Sequence, residues 1–279
     1  MRTVRDLVLL RDLVREARDR GRTVGFVPTM GALHEGHFSL VRLARGETRF
    51  VVVSIFVNPL QFAPGEDLAR YPRREAQDAA ALEREGVDVV YLPQPEAMYP
   101  PGFSTAVDVS GVSEGGEGAA RPGHLRGVAT VVSKLFLQVS PDVAVFGRKD
   151  LQQVAVVRRM IRDLNFPVRL VVGETVREPD GLALSSRNAY LSPEDRRSAA
   201  AFPRALLGAR DAASRGEREA TLLAGRVRRE LEAAGLEVDY VDVVDPATME
   251  PVANAVPGTA LVAAVRVGKT RLIDNVLVP

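Results

Sequence analysis

The sequence predicts an α/β protein: an open, doubly wound parallel-sheet domain followed by a smaller α+β domain. Three observations predict it. The nearly all-apolar, β-branched run Phe50-Val51-Val52-Val53-Ser54-Ile55-Phe56-Val57 reads as a strand covered on both faces, as in a parallel sheet. Short apolar strands alternate with segments of helical periodicity as far as residue 172. Beyond Gly173 the pattern changes to Arg/Ala/Glu-rich helices followed by successive short strands, which suggests a separate domain. The division is therefore expected at 1–173 and 174–279.

The elements follow in order. Val4, Leu7, Val8, Leu10, Leu13, Val14 and Ala17 fall on one helical face, with Thr3 as the expected N-cap. Residues 23–27 read as a short buried strand. Phe38, Leu40, Val41 and Ala44 keep helical spacing, so a helix is expected from about Gly36. A helix over 73–85 and a strand over 87–92 come next. Residues 110–123, rich in Gly, Ser and Glu, read as a surface loop. Helices over 127–139 and 150–164 then alternate with strands over 142–146 and 168–172. In the second domain, helices are expected over 194–215 and 217–234, and strands over 238–244, 260–267 and 270–278. Residues 237–244 largely alternate apolar and polar, as a half-buried strand should.

Composition narrows the class. The 279 residues are 46% hydrophobic and 26% charged, an ordinary globular balance with ample material for a core. A net charge of +1 and no basic run with interleaved aromatics argue against a nucleic-acid surface. No apolar stretch approaches the ~20 residues that span a bilayer. The first residues lead into an amphipathic helix rather than a signal peptide. Without cysteine there is no disulfide framework and no thiol chemistry, which fits a cytoplasmic location. Scarce Cys, Asn and Gln with abundant charge and Pro suit a thermophile, and the Arg bias suits genomic base composition equally. Only Lys134, Lys149 and Lys269 among the 37 basic residues are lysine, so a lysine at a strand end draws attention.

Ligands bind beyond the carboxyl ends of strands in such sheets. After the 23–27 strand comes Pro28-Thr29-Met30-Gly31-Ala32-Leu33-His34-Glu35-Gly36-His37. A strand running through a Gly-bearing turn into a helix presents free N–H groups there, and these attract phosphate. His34 and His37 stand one helical turn apart on the same face, where they could steady charge developing on phosphates. Two His at this spacing also suit a metal, but zinc needs a third or fourth ligand. The chain has three His and no Cys, so no metal-ligating set is assigned.

Five further stretches stand out. In Phe56-Val57-Asn58-Pro59-Leu60-Gln61-Phe62, two amides lie among apolar groups, a mix that suits a small hydroxylated substrate. Taken alone, Asn58-Pro59 is an ordinary turn. Residues 64–73, ending in Tyr71-Pro72-Arg73, read as a lid. Arg121-Pro122-Gly123-His124 enters the 127–139 helix. Phe146-Gly147-Arg148-Lys149-Asp150-Leu151-Gln152-Gln153 is again a strand end followed by a helix. There Lys149 can face phosphate, and Asp150 can accept from ribose hydroxyls or simply cap the helix. Gln153 lies roughly on the face of Lys149. Finally, Leu184-Ser185-Ser186-Arg187-Asn188 offers hydroxyl donors and a planar fork, an anion clamp.

Together, and in this order, these motifs resemble the pantoate–β-alanine ligase family within the His-x-Gly-His nucleotidylyltransferase superfamily. The resemblance covers the full length, with its specific motifs between Val24 and Ser192. It implies a Rossmann-like first domain and condensation of pantoate with β-alanine through a pantoyl adenylate, with ATP consumed to AMP and pyrophosphate. Carried over by residue, Met30, Gly31, Ala32, Leu33, His34, Glu35, Gly36 and His37 would hold ATP, with His34 and His37 at the phosphates. Gly147, Arg148, Lys149, Asp150, Val176, Leu184, Ser185, Ser186 and Arg187 would complete that site. Gln61 and Gln153 would hold pantoate, with Gln61 also beside β-alanine, and Asn58, His124 and Tyr71 would join them in substrate binding. The catalytic set implied is His34, His37, Lys149, Ser185, Ser186 and Arg187, with Mg2+ bound mainly through ATP phosphates. A homodimer is implied as well. The chain departs from the family pattern in small ways: Met is expected at Leu184, an acid or amide at Arg148, an aromatic at Leu151 and Gly at Ala63. Another nucleotidylyltransferase or a nucleotide-binding regulatory module are the alternatives, separated by pantoate-dependent pyrophosphate release and by AMP release.

Overall fold

The computed structural model describes residues 1–279. The elements are β1 (Arg2–Val4), α1 (Leu7–Asp19), β2 (Val24–Thr29), α2 (Glu35–Glu47), β3 (Phe50–Ile55), α3 (Glu75–Arg84), β4 (Val89–Tyr91), α4 (Pro95–Met98), α5 (Gly116–Ala120) and α6 (His124–Val139). They continue with β5 (Val143–Gly147), α7 (Leu151–Asp163), β6 (Arg169–Gly173), α8 (Pro193–Ala199), α9 (Ala201–Ser214), α10 (Ala220–Ala233), β7 (Glu237–Val244), β8 (Ala260–Val267) and β9 (Thr270–Leu277). Short 3-10 turns cover Pro59–Gln61, Asp67–Ala69, Arg148–Asp150 and Ser186–Tyr190.

Two compact units form, and neither is continuous in sequence. The first comprises Met1–Val109, Arg121–Arg148 and Val156–Glu174. The second comprises Ser110–Ala120, Lys149–Ala155 and Thr175–Pro279. The last change of unit thus falls one residue beyond Gly173, while two short segments from earlier in the chain belong with the second unit.

The first unit holds a six-stranded sheet in the order β1-β4-β3-β2-β5-β6, parallel throughout. Strand order reverses between β2 and β5, the topological switch point of a doubly wound sheet. Pairing across that point is short. Only Gly25–Val143 and Phe26–Ala144 are in register, although β2 runs to Thr29 and β5 to Gly147. Alternation along β2 serves both faces. Val27 packs with Val41 and Ala44 of α2, and Phe26 meets Phe136 of α6 edge-on at 6.4 Å.

The second unit holds an antiparallel sheet, β7-β8-β9, whose register shifts between Val238 and Tyr240. Its core joins Phe202, Leu206, Leu223, Leu231, Leu261 and Val265, all essentially buried.

Three local expectations are corrected. Thr3 is not a helix cap but lies in β1, which pairs parallel with β4. The helix starts later, with Asp6 accepting from the Leu9 N–H at 2.9 Å, because sheet pairing outweighs the local cap preference. The single helix expected over 194–215 is two helices meeting at Ala200, since Pro203 suits only the first turn of a new helix. Residues 110–123 include α5, whose Glu117 is 6% exposed, rather than surface loop alone.

Candidate active site

In the first unit, the turn between β2 and α2 is bent by two consecutive left-handed residues, Gly31 (φ 83°) and Ala32 (φ 51°). A non-glycine residue there is strained and needs support. Asp78 of α3 supplies it. This carboxylate is 4% exposed and accepts from the N–H groups of Ala32 (2.8 Å) and Leu33 (2.9 Å). Thr29 Oγ1 accepts from the Gly31 N–H (3.2 Å) and donates to the Ser54 carbonyl (2.8 Å). A Cβ on Gly31 would come within 2.9 Å of Ile55 Cγ2 and 3.1 Å of Asp78 Oδ2, so glycine is required. Burial pushes the Asp78 carboxyl above its ordinary value, against the pull of the Leu33 and Ala32 amides and of Arg74.

The amides of Ala32 and Leu33 are thus committed to protein. The N–H groups of Glu35 and Gly36 open α2, ahead of His37, whose N–H bonds the His34 carbonyl at 2.8 Å. Those are the amides placed to meet an anion. The rings of His34 and His37 lie 4.1 Å apart, centroid to centroid, tilted by 47°. His37 Nδ1 accepts from the His34 backbone N–H at 3.3 Å. Its neutral ring therefore carries the proton on Nε2, where it serves as a donor.

Beyond β3, Asn58 is 1% exposed and wholly committed. Its Nδ2 donates to Gln61 Oε1 and to the Gly127 carbonyl, both at 3.1 Å. Its Oδ1 accepts from the Leu60 N–H (3.3 Å) and the Tyr99 hydroxyl (2.7 Å). Asn58 orients the turn, and Gln61 on that turn is 8% exposed. Gln61 Nε2 donates to Met30 Sδ at 3.1 Å, which joins this turn to the loop after β2. His124 Nδ1 donates to the Gln61 carbonyl at 2.9 Å. Tyr71 is 7% exposed and packs edge-on against Phe62, with ring centroids 5.9 Å apart.

The segment 64–73 is latched within this unit by Arg121, which grips Glu66 through Nε (2.8 Å) and Nη2 (2.7 Å). Burial raises the Glu66 carboxyl, but the hydrogen bonds and charge of Arg121 outweigh it and hold the group below its ordinary 4.5. A depressed carboxylate contributes stability above the unfolded pKa and loses it as pH falls through the folded one. The latch should therefore survive acidification through the ordinary glutamate range and open only below it. Proteolysis of 64–73 across a pH series reads this directly, and cleavage that rises at pH 5–6 would contradict it.

In the second unit, Lys149 lies in the 3-10 turn before α7 with its side chain 20% exposed, and its Nζ is 3.4 Å from Asp150 Oδ1. Asp150 therefore pairs with the lysine. Gln152, 5% exposed, ties that turn to α5. Its Oε1 accepts from the Glu117 N–H (2.8 Å), and its Nε2 donates to the carbonyls of Gly115 (2.8 Å) and Val112 (3.0 Å). Gln153 is half-buried on the first turn of α7. Val176 and Leu184 face one another across a hairpin, with the Leu184 N–H donating to the Val176 carbonyl at 2.9 Å. The hairpin leads into Ser185, whose Oγ accepts from the Arg187 N–H at 3.3 Å and starts the 3-10 turn Ser186–Tyr190. Arg196 anchors the hairpin's tip through Glu178 (2.6 and 3.0 Å) and Asp180 (2.7 Å).

The family model described as pantoate-beta-alanine ligase matches residues 2–277. The chain belongs to the pantoate–β-alanine ligase family. It is 54% identical over 278 residues to the pantothenate synthetase of Rhizorhabdus wittichii, covering 100% of this chain and 99% of that one. It is 51% identical to that of Moorella thermoacetica, covering 99% and 98%. A pantothenate synthetase structure from Thermus thermophilus matches with a TM-score of 0.95 and 50% identity, covering 100% of this chain and 99% of that one. The pantoate-beta-alanine ligase of Francisella tularensis, a structure complexed with beta-gamma ATP and beta-alanine, matches with a TM-score of 0.84 and 32% identity over 99% and 97%. The protein is a ligase with the two-unit α/β architecture of its family.

Two departures from the family pattern find physical accounts. Arg148 pairs with Glu174, so its charge is shared within the first unit. Leu151, 7% exposed, packs with Val244, Ala260 and Val262, where an aliphatic side chain fills the space. Sequence reading missed Asp78, Tyr99, Glu117, Arg177, Asp274 and Asn275. Each resembles an ordinary surface or strand residue until its partners, distant in sequence, are known.

Proposed function

We propose that this ligase condenses pantoate with β-alanine in two steps on ATP. The single observation that carries this is the strand-turn-helix with His34 and His37 at the switch point of the parallel sheet, in a chain of this family. In the first step the pantoate carboxylate attacks the α-phosphorus, and pyrophosphate leaves. A carboxylate is already ionised at neutral pH, with a reference pKa of about 4, so no general base is needed. What is needed is in-line placement and charge stabilisation.

In this reading the α2 N-terminus and the Nε2–H of His37 stabilise phosphate charge, and Lys149, Ser185, Ser186 and Arg187 share that task. Gln61 and Gln153 hold pantoate, with Asn58 and His124 bonded to Gln61 and Tyr99 bonded in turn to Asn58. No group of three or more His, Cys, Asp or Glu side chains is placed to hold a metal ion. A magnesium ion brought by the triphosphate would supply neutralisation of charge on the pyrophosphate, with no protein ligand assigned to it. In the second step the neutral β-alanine amine attacks the acyl carbon, its nitrogen gives up a proton to water, the C–O bond to AMP breaks, and pantothenate and AMP leave. The amine must be neutral, and a free alkyl amine has a pKa of about 10, so desolvation beneath segment 64–73 assists. A homodimer and a cytoplasmic location belong to the same proposal, and light scattering tests the first.

Oxygen transfer tests the intermediate. Pantoate labelled with 18O in its carboxylate should leave one label in AMP, and unlabelled AMP rules out the adenylate. The loop geometry has its own test. Asp78→Asn turns one acceptor into an NH2 that faces a backbone N–H, which should cost about 1–3 kcal/mol of stability. It should also raise the KM for ATP more than that for β-alanine. Urea melts and initial rates measure both, and an unchanged KM for ATP would remove Asp78 from this role.

A further inference from the structure

The second unit carries a buried polar cluster that no motif pointed to. Arg177 grips Asp274 of β9 with both arms, Nη1 to Oδ2 at 2.6 Å and Nη2 to Oδ1 at 3.0 Å. It also donates to the carbonyls of Gly181 (3.0 Å) and Asn275 (3.3 Å). Asp274 is 3% exposed, and its Oδ1 accepts from the Asn275 N–H at 2.8 Å. Asn275 is 4% exposed and donates its Nδ2 to the Lys149 carbonyl at 2.9 Å.

Stability alone does not call for this arrangement. A buried ion pair is often no more stabilising than apolar residues of the same shape. What the cluster does is connect. Through Asn275 it fixes the backbone at Lys149. Through Arg177 it fixes the hairpin that carries Val176 and Leu184 and leads to Ser185. Two segments far apart in sequence are thereby referred to adjacent residues of one rigid strand.

We propose that Asp274 and Asn275 of β9, with Arg177, are positioning residues that set the Lys149 backbone and the 176–184 hairpin in register for nucleotide binding. The nucleotide part rests on the ligase reading above, and the positioning part does not. Fixed backbone on a rigid element is how a site keeps its donors within reach of the reacting groups, and small misplacements there have large kinetic effects.

Asn275→Ala is the decisive variant, because it removes the bond to Lys149 and leaves the ion pair intact. Hydrogen exchange on the free protein should quicken at 148–151 while β7 and β8 keep their protection. The KM for ATP should rise by about tenfold or more, with the KM for β-alanine changed far less. Arg177→Lys keeps the charge and loses the fork, and it should quicken exchange at 176–184. Exchange unchanged at these segments, or quickened throughout the unit, overturns the proposal. Exchange is read without turnover, so a wild type that forms no AMP would remove the ligase reading and leave the positioning result standing.

Discussion

His37→Ala and Lys149→Ala should each lower AMP formation by about 10²–10³-fold, roughly 3–4 kcal/mol of transition-state stabilisation. The size follows from the task. Negative charge moves onto the leaving pyrophosphate, and donors already in place stabilise it without reorganising. In the proposed reading His37 is such a donor, since the His34 N–H occupies its Nδ1 and leaves Nε2 to carry the proton. In the same reading Lys149 would contribute a point charge, from a turn whose backbone is itself held. Both side chains are partly exposed, so the variants should melt within a few degrees of wild type. Initial rates of AMP formation, with thermal melts alongside, make the check. Variants that fold and turn over at wild-type rates would keep the family and remove this mechanism.

The second large effect concerns Gly127. α6 passes so close to the turn at Pro59–Gln61 that a Cβ on Gly127 would collide with the Leu60 carbonyl and come within 2.8 Å of the Gln61 nitrogen. Those are backbone atoms and cannot swing aside. The Gly127 carbonyl also holds Asn58, which holds Gln61. Gly127→Ala should therefore destabilise the fold by about 1–3 kcal/mol through overpacking. It should also raise the KM for pantoate more than that for ATP. Gly46 of α2 is the control, since nothing lies within 4 Å of its would-be Cβ. Gly46→Ala should stabilise by up to about 1 kcal/mol and leave kinetics alone. Denaturant midpoints and substrate titrations on the pair read the contrast. Equal behaviour of the two variants would mean that α6 yields where the geometry says it cannot.

These two cases show what sequence reveals of such a site. The His-x-Gly-His turn was legible because strand, glycine and helix signals are local and the chemistry of imidazole is distinctive. The parallel sheet was legible because β3 is apolar along almost its whole length, which only a doubly covered strand permits. The close approach at Gly127 was not legible, because it depends on a turn almost seventy residues earlier in the chain. Asp78 was hidden for the same reason. It reads as an acid in the first turn of a helix and in fact braces a strained loop 46 residues away. The β1 strand was lost because three residues carry too little pattern to outvote an adjacent amphipathic helix. The helices and short strands after Gly173 were legible, but not the grouping of Ser110–Ala120 and Lys149–Ala155 with them, which rests on pairings such as Gln152 with Glu117.

The most direct test of the account is AMP release from ATP and magnesium with pantoate, in the presence and absence of β-alanine. Sustained AMP release is expected only with both substrates, and pyrophosphate release with pantoate alone. If pantoate elicits neither pyrophosphate nor AMP, or if AMP forms as fast without β-alanine, the two-step ligase chemistry assigned to these residues is wrong.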